Sequence, residues 1–370
     1  MRPRVAIVLF NLGGPDRPEA IWPFLRNLFS DPAILRVPFF VRFILARIIA
    51  RSRLKLATEN YQILGGKSPL LEMTKAQGKA IEDALPELEA KCFLAMRYWH
   101  PFSLEAAHAV KTWRPDEIVL LPLYPQYSTT TTGSSLTAWR TAAARAGLAA
   151  PTSALCCFPT DPAFIAATQR IIRTAYEAAL DPAIPLRILF SAHGLPDSIV
   201  RDGDPYQYQI GQTVAAVIET WGRNDLDWTI CYQSRATPVK WIEPSTEAEI
   251  VRAGQENKAV LVVPIAFTAE HSETLVELDV EYQELAHRVG VPGYFRVPTQ
   301  LIDPGFINAL AGLTRFVRER GTGLHAACDV TKCAASNRRC PFAMRMPPQR
   351  RQPTNPIYPN AANTSSIAFI

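Results

Sequence analysis

The sequence predicts an α/β fold in which two parallel sheets are each flanked by helices. Short apolar runs rich in β-branched residues recur between segments of helical periodicity, which is typical of βαβ units. The runs are apolar throughout, as expected for strands buried on both faces. Six are clear and two are weaker: Val5–Phe10, Cys92–Met96, Glu117–Leu123, Leu186–Ala192, Thr229–Tyr232 and Ala259–Ile265, then Ala154–Phe158 and Tyr294–Val297.

Two stretches of the chain repeat the order strand, polar turn, helix. Residues 7–15 parallel residues 188–196, and residues 119–123 before a Thr/Ser-rich turn parallel residues 262–265 before a second polar turn. The repeat predicts two Rossmann-like halves, residues 1–160 and 161–320, with a ligand cleft at the carboxyl ends of their strands. The alternative is that parallel strands end in polar turns without any duplication.

An insertion of about residues 20–71 interrupts the first half. Its segment Val37–Ala50 is apolar except for Arg42 and Arg47, and further basic residues flank it. Fourteen residues interrupted by two arginines are too few to span a bilayer. The segment fits an amphipathic lip that rests on an anionic membrane and borders a pocket for an apolar ligand. It fits equally a helix docked on its own core with snorkelling arginines.

Composition narrows the class of protein. The formal charge of +5 is spread along the chain without a long Lys/Arg run, which argues against nucleic acid as a partner. The first residues lack the pattern of a secretory signal, so we expect a cytoplasmic chain. Seven cysteines, two of them adjacent, do not fit a disulfide framework. Residues 321–370 form a Cys-containing extension, with a tail, Pro347–Ile370, expected to be disordered.

His193 is the first candidate for chemistry. It follows the run that ends at Ala192 and precedes Gly194, so a tight turn would project its imidazole into the cleft. An imidazole with an ordinary pKa near 6.5 is suited to proton transfer at neutral pH.

Acidic residues after the strand 259–265 are the second candidate. Glu270, Glu273, Glu277 and Glu281 recur at spacings of three and four, which predicts a row of carboxylates along one helical face. Like charges repel there unless protons or cations occupy the row. The row is either a conduit for metal ions or protons, or a solvated acidic face.

Several motifs occur together in the order seen in ferrochelatases, and the chain resembles that family over about residues 4 to 320. The motifs are Asn11–Pro15, Gly65–Pro69, Arg97-Tyr98, Tyr124–Ser128 with Thr132–Ser135, Ser191–Pro196, Tyr232–Ser234 and Phe267–Glu281.

The resemblance implies insertion of Fe²⁺ into a porphyrin held between two Rossmann-like domains. His193 matches the family's essential histidine, which accepts pyrrole protons or binds the iron, and Glu273 matches the carboxylate opposite it. His271 matches a neighbouring histidine that handles metal or protons, and the metal route continues at Glu277 and Glu281. Bending the ring exposes nitrogen lone pairs on one face and protons on the other, so a base and a metal path on opposite faces are expected.

The porphyrin contacts implied by the resemblance, or chosen as apolar wall, form a larger set. They are Leu12, Phe24, Arg53, Tyr61, Ser68, Tyr98, Gln233, Ser234, Trp241 and Phe267. Packing in the core is the competing interpretation for the wall residues.

Many ferrochelatases carry a [2Fe–2S] cluster, and the cysteines of this chain can be compared with the positions of its cysteine ligands in the family. The fourth ligand of the animal type falls at Thr129, so it is absent. A bacterial arrangement would use Cys156 or Cys157 with Cys328, Cys333 and Cys340. Buried free cysteines are the alternative.

Other functions fit part of the pattern. A tetrapyrrole carrier would use His193 as an axial ligand but has no need of the carboxylates. A chelatase for a more carboxylated tetrapyrrole would call for more basic residues around the cleft. Protoporphyrin IX is favoured over coproporphyrin because the predicted lip is apolar. The lip Val37–Ala50 predicts peripheral contact with the inner face of a membrane. The resemblance also implies contact with the preceding enzyme of haem biosynthesis.

Overall fold

The computed structural model describes residues 2–234, 239–329 and 336–343. Nine strands are present among them: β1 Arg4–Asn11, β2 Glu89–Met96, β3 Glu117–Pro122, β4 Thr152–Leu155, β5 Leu186–His193, β6 Asp227–Gln233, β7 Ala259–Pro264, β8 Tyr294–Arg296 and β9 Gly323–His325. The helices are α1 Ile21–Ser30, α2 Phe39–Ile63, α3 Leu70–Asp83, α4 Ser103–Trp113, α5 Thr132–Ala146, α6 Pro162–Ala179, α7 Asp197–Arg201, α8 Tyr206–Trp221, α9 Thr246–Gln255, α10 Ser272–Leu275, α11 Tyr282–Arg288 and α12 Pro304–Glu319. A π-helical turn, Glu277–Glu281, lies between α10 and α11.

The strands form two sheets, and every pairing within them is parallel. The first sheet has the order β2-β1-β3-β4-β9 and the second the order β6-β5-β7-β8. The predicted α/β class with two parallel sheets is therefore confirmed. All eight predicted runs coincide with strands to within three residues at either end, and the run predicted at 154–158 is shifted toward the N-terminus, to 152–155.

Strand β1 shows why the strands read as unbroken apolar runs. Its alternate residues Val5, Ile7 and Leu9 pack on one face of the sheet. The residues between them, Ala6, Val8 and Phe10, pack on the other face. All six side chains are fully buried. A strand covered by helices on both faces has no polar side to display, so periodicity of two disappears.

Helices α6 and α12 join the two sheets. Helix α6 packs against β7 and β8, α12 packs against β3 and β4, and the two helices pack against each other. The last described strand, β9, comes from the predicted C-terminal extension but pairs with β4 in the first sheet. Side chains of both sheets consequently share one core.

The predicted lip is the first half of helix α2. Its large apolar residues Phe39, Phe40, Phe43, Ile44 and Ile48 are between 51% and 80% exposed. Only small side chains on this part, at positions 46 and 50, are buried. This part of the helix therefore packs on α1 through Ala46, Ile49 and Ala50, while its largest apolar side chains point away from the core. No described helix is long and apolar enough to cross a membrane.

Candidate active site

A cavity of about 520 Å³ lies at the carboxyl ends of the strands, between the two sheets. This is within the range of roughly 300–1,000 Å³ common for small-molecule sites. Residues that follow β1, β3, β5, β6 and β7 all reach it, as expected for parallel sheets. Helices α1 and α2 supply an apolar wall that includes Leu28, Phe29 and Leu56. The opposite side carries most of the titratable groups.

His193 is the last residue of β5 and lines this cavity. Its Nδ1 lies 2.6 Å from the carbonyl oxygen of Gly194. Donation from Nδ1–H to that carbonyl directs Nε2 into the cavity. A Cβ at position 194 would lie 2.9 Å from the Gln233 carbonyl oxygen, so only glycine allows this close turn.

His271 and Glu273 follow β7 in a turn that starts helix α10. His271 is the N-cap, and its Nδ1 accepts a hydrogen bond from the Glu273 amide at 3.0 Å. Its ring also contacts Phe267 edge-on at 4.6 Å between centroids. Burial lowers the pKa of His271, so the imidazole stays neutral and can accept this bond. The ring thus holds the backbone of Glu273 in place.

His193 and Glu273 lie side by side, with Nε2 and Oε1 3.5 Å apart. The expectation that they face each other across the porphyrin is wrong for this structure. A flat ring between them would need about 7 Å, two contact distances of roughly 3.5 Å. Both therefore lie on one side of the cavity and act as a pair.

The pair is ionised over the neutral range. Burial opposes a charge on His193, but Glu273 outweighs it and the pKa of His193 rises to about 9. Burial likewise opposes a charge on Glu273, yet the charge and hydrogen bond of His193 outweigh it and bring the pKa of that carboxyl to about 2. The expectation of an ordinary imidazole pKa is corrected accordingly. Separation of the pair is required before His193 can act as a base at neutral pH.

The carboxylate row is shorter than predicted. Glu273, Glu277 and Glu281 line the cavity, and Glu281 at the outer end is exposed. Glu270 precedes the helix and binds Arg296 instead, Nη1 to Oε1 being 2.9 Å. The π-helical turn changes the spacing on which the prediction of a regular helical face relied.

Glu277 is the most heavily hydrogen-bonded member of the row. It accepts from the Gln233 amide at 3.1 Å, from the Ser234 amide N–H at 2.8 Å and hydroxyl, and from the Tyr282 hydroxyl at 2.9 Å. Burial and the charge of Glu273 nevertheless raise the pKa of Glu277 to about 7. This carboxyl can hold or release a proton near neutral pH.

The predicted substrate-binding residues fall into two groups. Leu12, Arg53, Ser234, Trp241 and Phe267 line the cavity. Tyr61, Ser68, Tyr98 and Gln233 are buried and do not line it, and neither does Phe24. Ser68 packs against Gly14, where a Cβ would lie 2.5 Å from the serine hydroxyl.

Three of the buried residues support neighbours of the cavity. Burial raises the pKa of Tyr61 to about 12, partly offset by a hydrogen bond with Ser272 at the start of α10. Tyr98 donates to Asp31 at 2.8 Å. Gln233 donates to the Glu273 carbonyl at 2.8 Å in addition to Glu277. These side chains hold the walls of the cavity.

Sequence reasoning missed some lining residues. Asn60 lies seven residues after Arg53 on α2, hence on the same face of the helix, and donates to Glu281 at 3.3 Å. That spacing was readable from the sequence once α2 was known to continue past Ala50. Tyr206 and Glu247 also line the cavity, but they come from distant elements that no local pattern connects to it.

The predicted cluster cysteines that the structure describes gather near one end of the first sheet. Cys156 and Cys157 follow β4, and Cys328 follows β9, which pairs with β4. The Sγ atoms of Cys157 and Cys328 are 3.9 Å apart, and Cys340 is also buried. Cys333 lies outside the described residues. Within the part of the chain that the structure describes, no three His, Cys, Asp or Glu side chains are arranged to hold a metal ion.

Comparison with known proteins agrees with this arrangement. The family model "Ferrochelatase" matches residues 4–317. The chain belongs to the ferrochelatase family. A ferrochelatase of Caulobacter vibrioides is 49% identical over 345 residues, which cover 92% of this chain and 98% of that protein. A ferrochelatase of Phenylobacterium zucineum is 48% identical over 341 residues, covering 91% and 97%.

A solved structure shares the fold of this ferrochelatase-family chain. It is SirB from Bacillus subtilis with Fe³⁺, with a TM-score of 0.52 at 13% identity, covering 85% of this chain and 95% of that one. The likeness supports the architecture of two parallel sheets flanked by helices.

Proposed function

We propose that this chain inserts Fe²⁺ into protoporphyrin IX to give protohaem, the last step of haem biosynthesis. The observation that carries the proposal is one cavity that joins an apolar wall to the His193–Glu273 pair and to carboxylates reaching the exposed Glu281. An apolar ring would lie against α1 and α2, with its nitrogens toward the pair. A tetrapyrrole carrier would have no use for the carboxylate row.

In this proposal the resting proton of His193 first passes to the carboxylate row, and the neutral imidazole then receives the pyrrole protons one at a time, passing each on to the same row. The reaction takes up Fe²⁺ and releases two protons, so the net charge of the site is unchanged from start to finish. The acidic row serves both movements, since Fe²⁺ enters along Glu281 and Glu277 and the protons leave by the same carboxylates. Glu273 steadies His193 while the latter is protonated, because the two are 3.5 Å apart.

Anaerobic incubation with Fe²⁺ and either protoporphyrin IX or coproporphyrin tests the activity. We expect the spectrum of the iron porphyrin to appear, and to appear faster with protoporphyrin IX. Among the described residues that line the cavity, Arg53 is the one arginine and there is no lysine. A ring with two carboxylates therefore suits it better than one with four. Absence of any metallated product would defeat the proposal.

The exposed apolar part of α2 supports a second proposal, that it rests on an anionic membrane surface. Six large apolar residues are exposed there, and the partly buried Arg42 and Arg47 lie between them in the chain. The Arg47 guanidinium lies 3.5 Å from the centre of the Phe43 ring. Apolar side chains and arginines on one short helix are the combination that binds at the headgroup boundary.

Substitution of the lip should release the protein from vesicles. We expect the double variant Phe40→Asp, Ile44→Asp to lower cosedimentation with phosphatidylglycerol-containing vesicles by roughly tenfold or more. Two apolar side chains buried in the membrane would contribute about 3 kcal/mol to the free energy of binding, and the variant loses both. Leu180→Asp, at an exposed apolar residue after α6, is the matched control and should bind normally. Equal binding by all three proteins would contradict the membrane role.

The gathered cysteines support a third proposal, a [2Fe–2S] cluster held by Cys157, Cys328, Cys333 and Cys340. Two observations support it: the Sγ atoms of Cys157 and Cys328 are 3.9 Å apart, and Cys340 lies near enough to help raise the pKa of the Cys157 thiol. When bound, the cluster would supply a one-electron redox centre. Cys157, which contacts Cys328, is preferred to Cys156 as the ligand from β4.

Protein purified without oxygen should be red-brown and contain acid-labile sulfide. We expect Cys157→Ser to remove most of the colour and the sulfide, because a serine hydroxyl is a much weaker ligand for the cluster iron than a thiolate. Cys92→Ser, a free cysteine on β2, is the control and should keep both. Colourless wild-type protein from iron-replete cells would contradict the cluster.

A further inference from the structure

The π-helical turn Glu277–Glu281 is an irregular element at the centre of the proposed metal route. The carbonyl of Val276 accepts from two amides, those of Val280 and Glu281, at 2.9 and 3.0 Å. A turn widened in this way is uncommon inside helices and needs support from outside the helix. It sets the directions of Glu277 and Glu281, both of which line the cavity.

The support comes from β8, the edge strand of the second sheet. Tyr294 and Arg296 are two residues apart, so they project from the same face of the strand. The Tyr294 hydroxyl donates to the carbonyl of Leu278 at 2.6 Å, within the turn. Phe295, between them, projects to the other face and is 39% exposed.

Arg296 binds the segment at two places. Its Nε and Nη2 donate to both carboxylate oxygens of Asp279, inside the π-helical turn, Nη2 at 2.8 Å from Oδ2. Its Nη1 donates at 2.9 Å to Oε1 of Glu270, just before α10. The guanidinium side chain is 14% exposed, so solvent screens these bonds weakly.

Glu270 and Asp279 bracket the residues of the site. His271, Glu273 and Glu277 all lie between them in the chain, and Glu270 is further held by the Thr299 amide at 2.9 Å and hydroxyl at 3.0 Å. One guanidinium therefore fixes both ends of the segment against the sheet. Lysine would keep the charge but lose the planar, two-pronged grip on Asp279.

We propose that Arg296 and Tyr294 are positioning residues of iron insertion, which hold the π-helical turn so that Glu277 and Glu281 point along the metal route. Neither residue lines the cavity, and both act through the turn. The inference rests on the proposed function, because the route matters only if Fe²⁺ enters along these carboxylates.

Kinetics and hydrogen exchange on Arg296→Lys, Tyr294→Phe and the control Phe295→Ala test the inference. Loss of groups that orient metal-binding side chains commonly costs about 10–100-fold. We therefore expect Arg296→Lys to raise the KM for Fe²⁺ by about tenfold or more, with the KM for the porphyrin unchanged. Tyr294→Phe should raise the KM for Fe²⁺ about fivefold, the value of one hydrogen bond of about 1 kcal/mol.

Amide exchange in the free protein should become faster in both variants within residues 272–284, while Phe295→Ala behaves as wild type in both measurements. An unchanged KM for Fe²⁺, or equal increases for both substrates, would overturn the inference. Exchange needs no turnover, so unaltered exchange in Arg296→Lys and Tyr294→Phe also overturns it. Inactive wild-type protein with the expected exchange pattern would instead refute the proposed function.

Discussion

Replacement of His193 by alanine is expected to lower kcat for iron insertion by about 100- to 10,000-fold, the range typical of a positioned general base. The imidazole is the basic group that a buried strand delivers to the cavity, and the glycine after it leaves no room for rearrangement. Porphyrin binding should persist, because the apolar wall comes from α1 and α2.

Fluorescence quenching by protoporphyrin IX would separate binding from turnover in this variant. His287→Ala is the matched control, since His287 is an exposed histidine on α11 in the same half of the chain. It should turn over at the wild-type rate. Wild-type turnover by His193→Ala would remove the histidine from the mechanism, even if Glu273 proved essential.

Glu273→Gln should return the pKa of His193 from about 9 toward its ordinary value near 6.5. The carboxylate charge 3.5 Å away is the largest influence that favours the imidazolium, and burial, which disfavours it, remains after the change. Titration of the His193 ring protons by NMR in the absence of porphyrin would measure the shift. Activity should fall as well, since the variant loses the carboxylate nearest the base.

Thermal unfolding across pH checks the same pair independently. The raised pKa of His193 means that its stabilisation is complete below pH 6.5 and lost as the pH rises through about 9. The lowered pKa of Glu273 means that its stabilisation is complete above pH 4.5 and lost as the pH falls through about 2. Wild type should therefore exceed Glu273→Gln most between pH 4.5 and 6.5. A difference independent of pH would show that the pair is not ionised.

The sequence was sufficient for those features that depend on local pattern. Continuous apolar runs identified the strands, because a strand covered on both faces has no polar alternation. His193 was recognisable because it follows such a run and precedes a glycine. Family motifs, which are also local, identified the ferrochelatase family, and the family model later confirmed it.

Features that depend on two distant segments were not readable. The separation of His193 and Glu273 is set by how β5 and β7 pair and by the turn that His271 caps, so the sequence placed them across the ring when they lie 3.5 Å apart. The expected pKa of His193 was wrong for the same reason, because a pKa depends on neighbours in space. The sequence likewise gave no sign that four of the expected porphyrin contacts are buried outside the cavity, namely Tyr61, Ser68, Tyr98 and Gln233.

The acidic segment after β7 contains both kinds of feature, those that depend on local pattern and those that depend on distant residues. Glu273, Glu277 and Glu281, which their spacing in the sequence groups together, all line one cavity. The spacing was misleading for Glu270, because Arg296, on a strand more than twenty residues later, binds that carboxylate. Arg296 and Tyr294 also hold the π-helical turn. Local pattern thus determined the strands, the histidine and the presence of a carboxylate row. Packing between distant elements decided which carboxylates belong to that row and which charges meet, because electrostatic and hydrogen-bonding partners are neighbours in space.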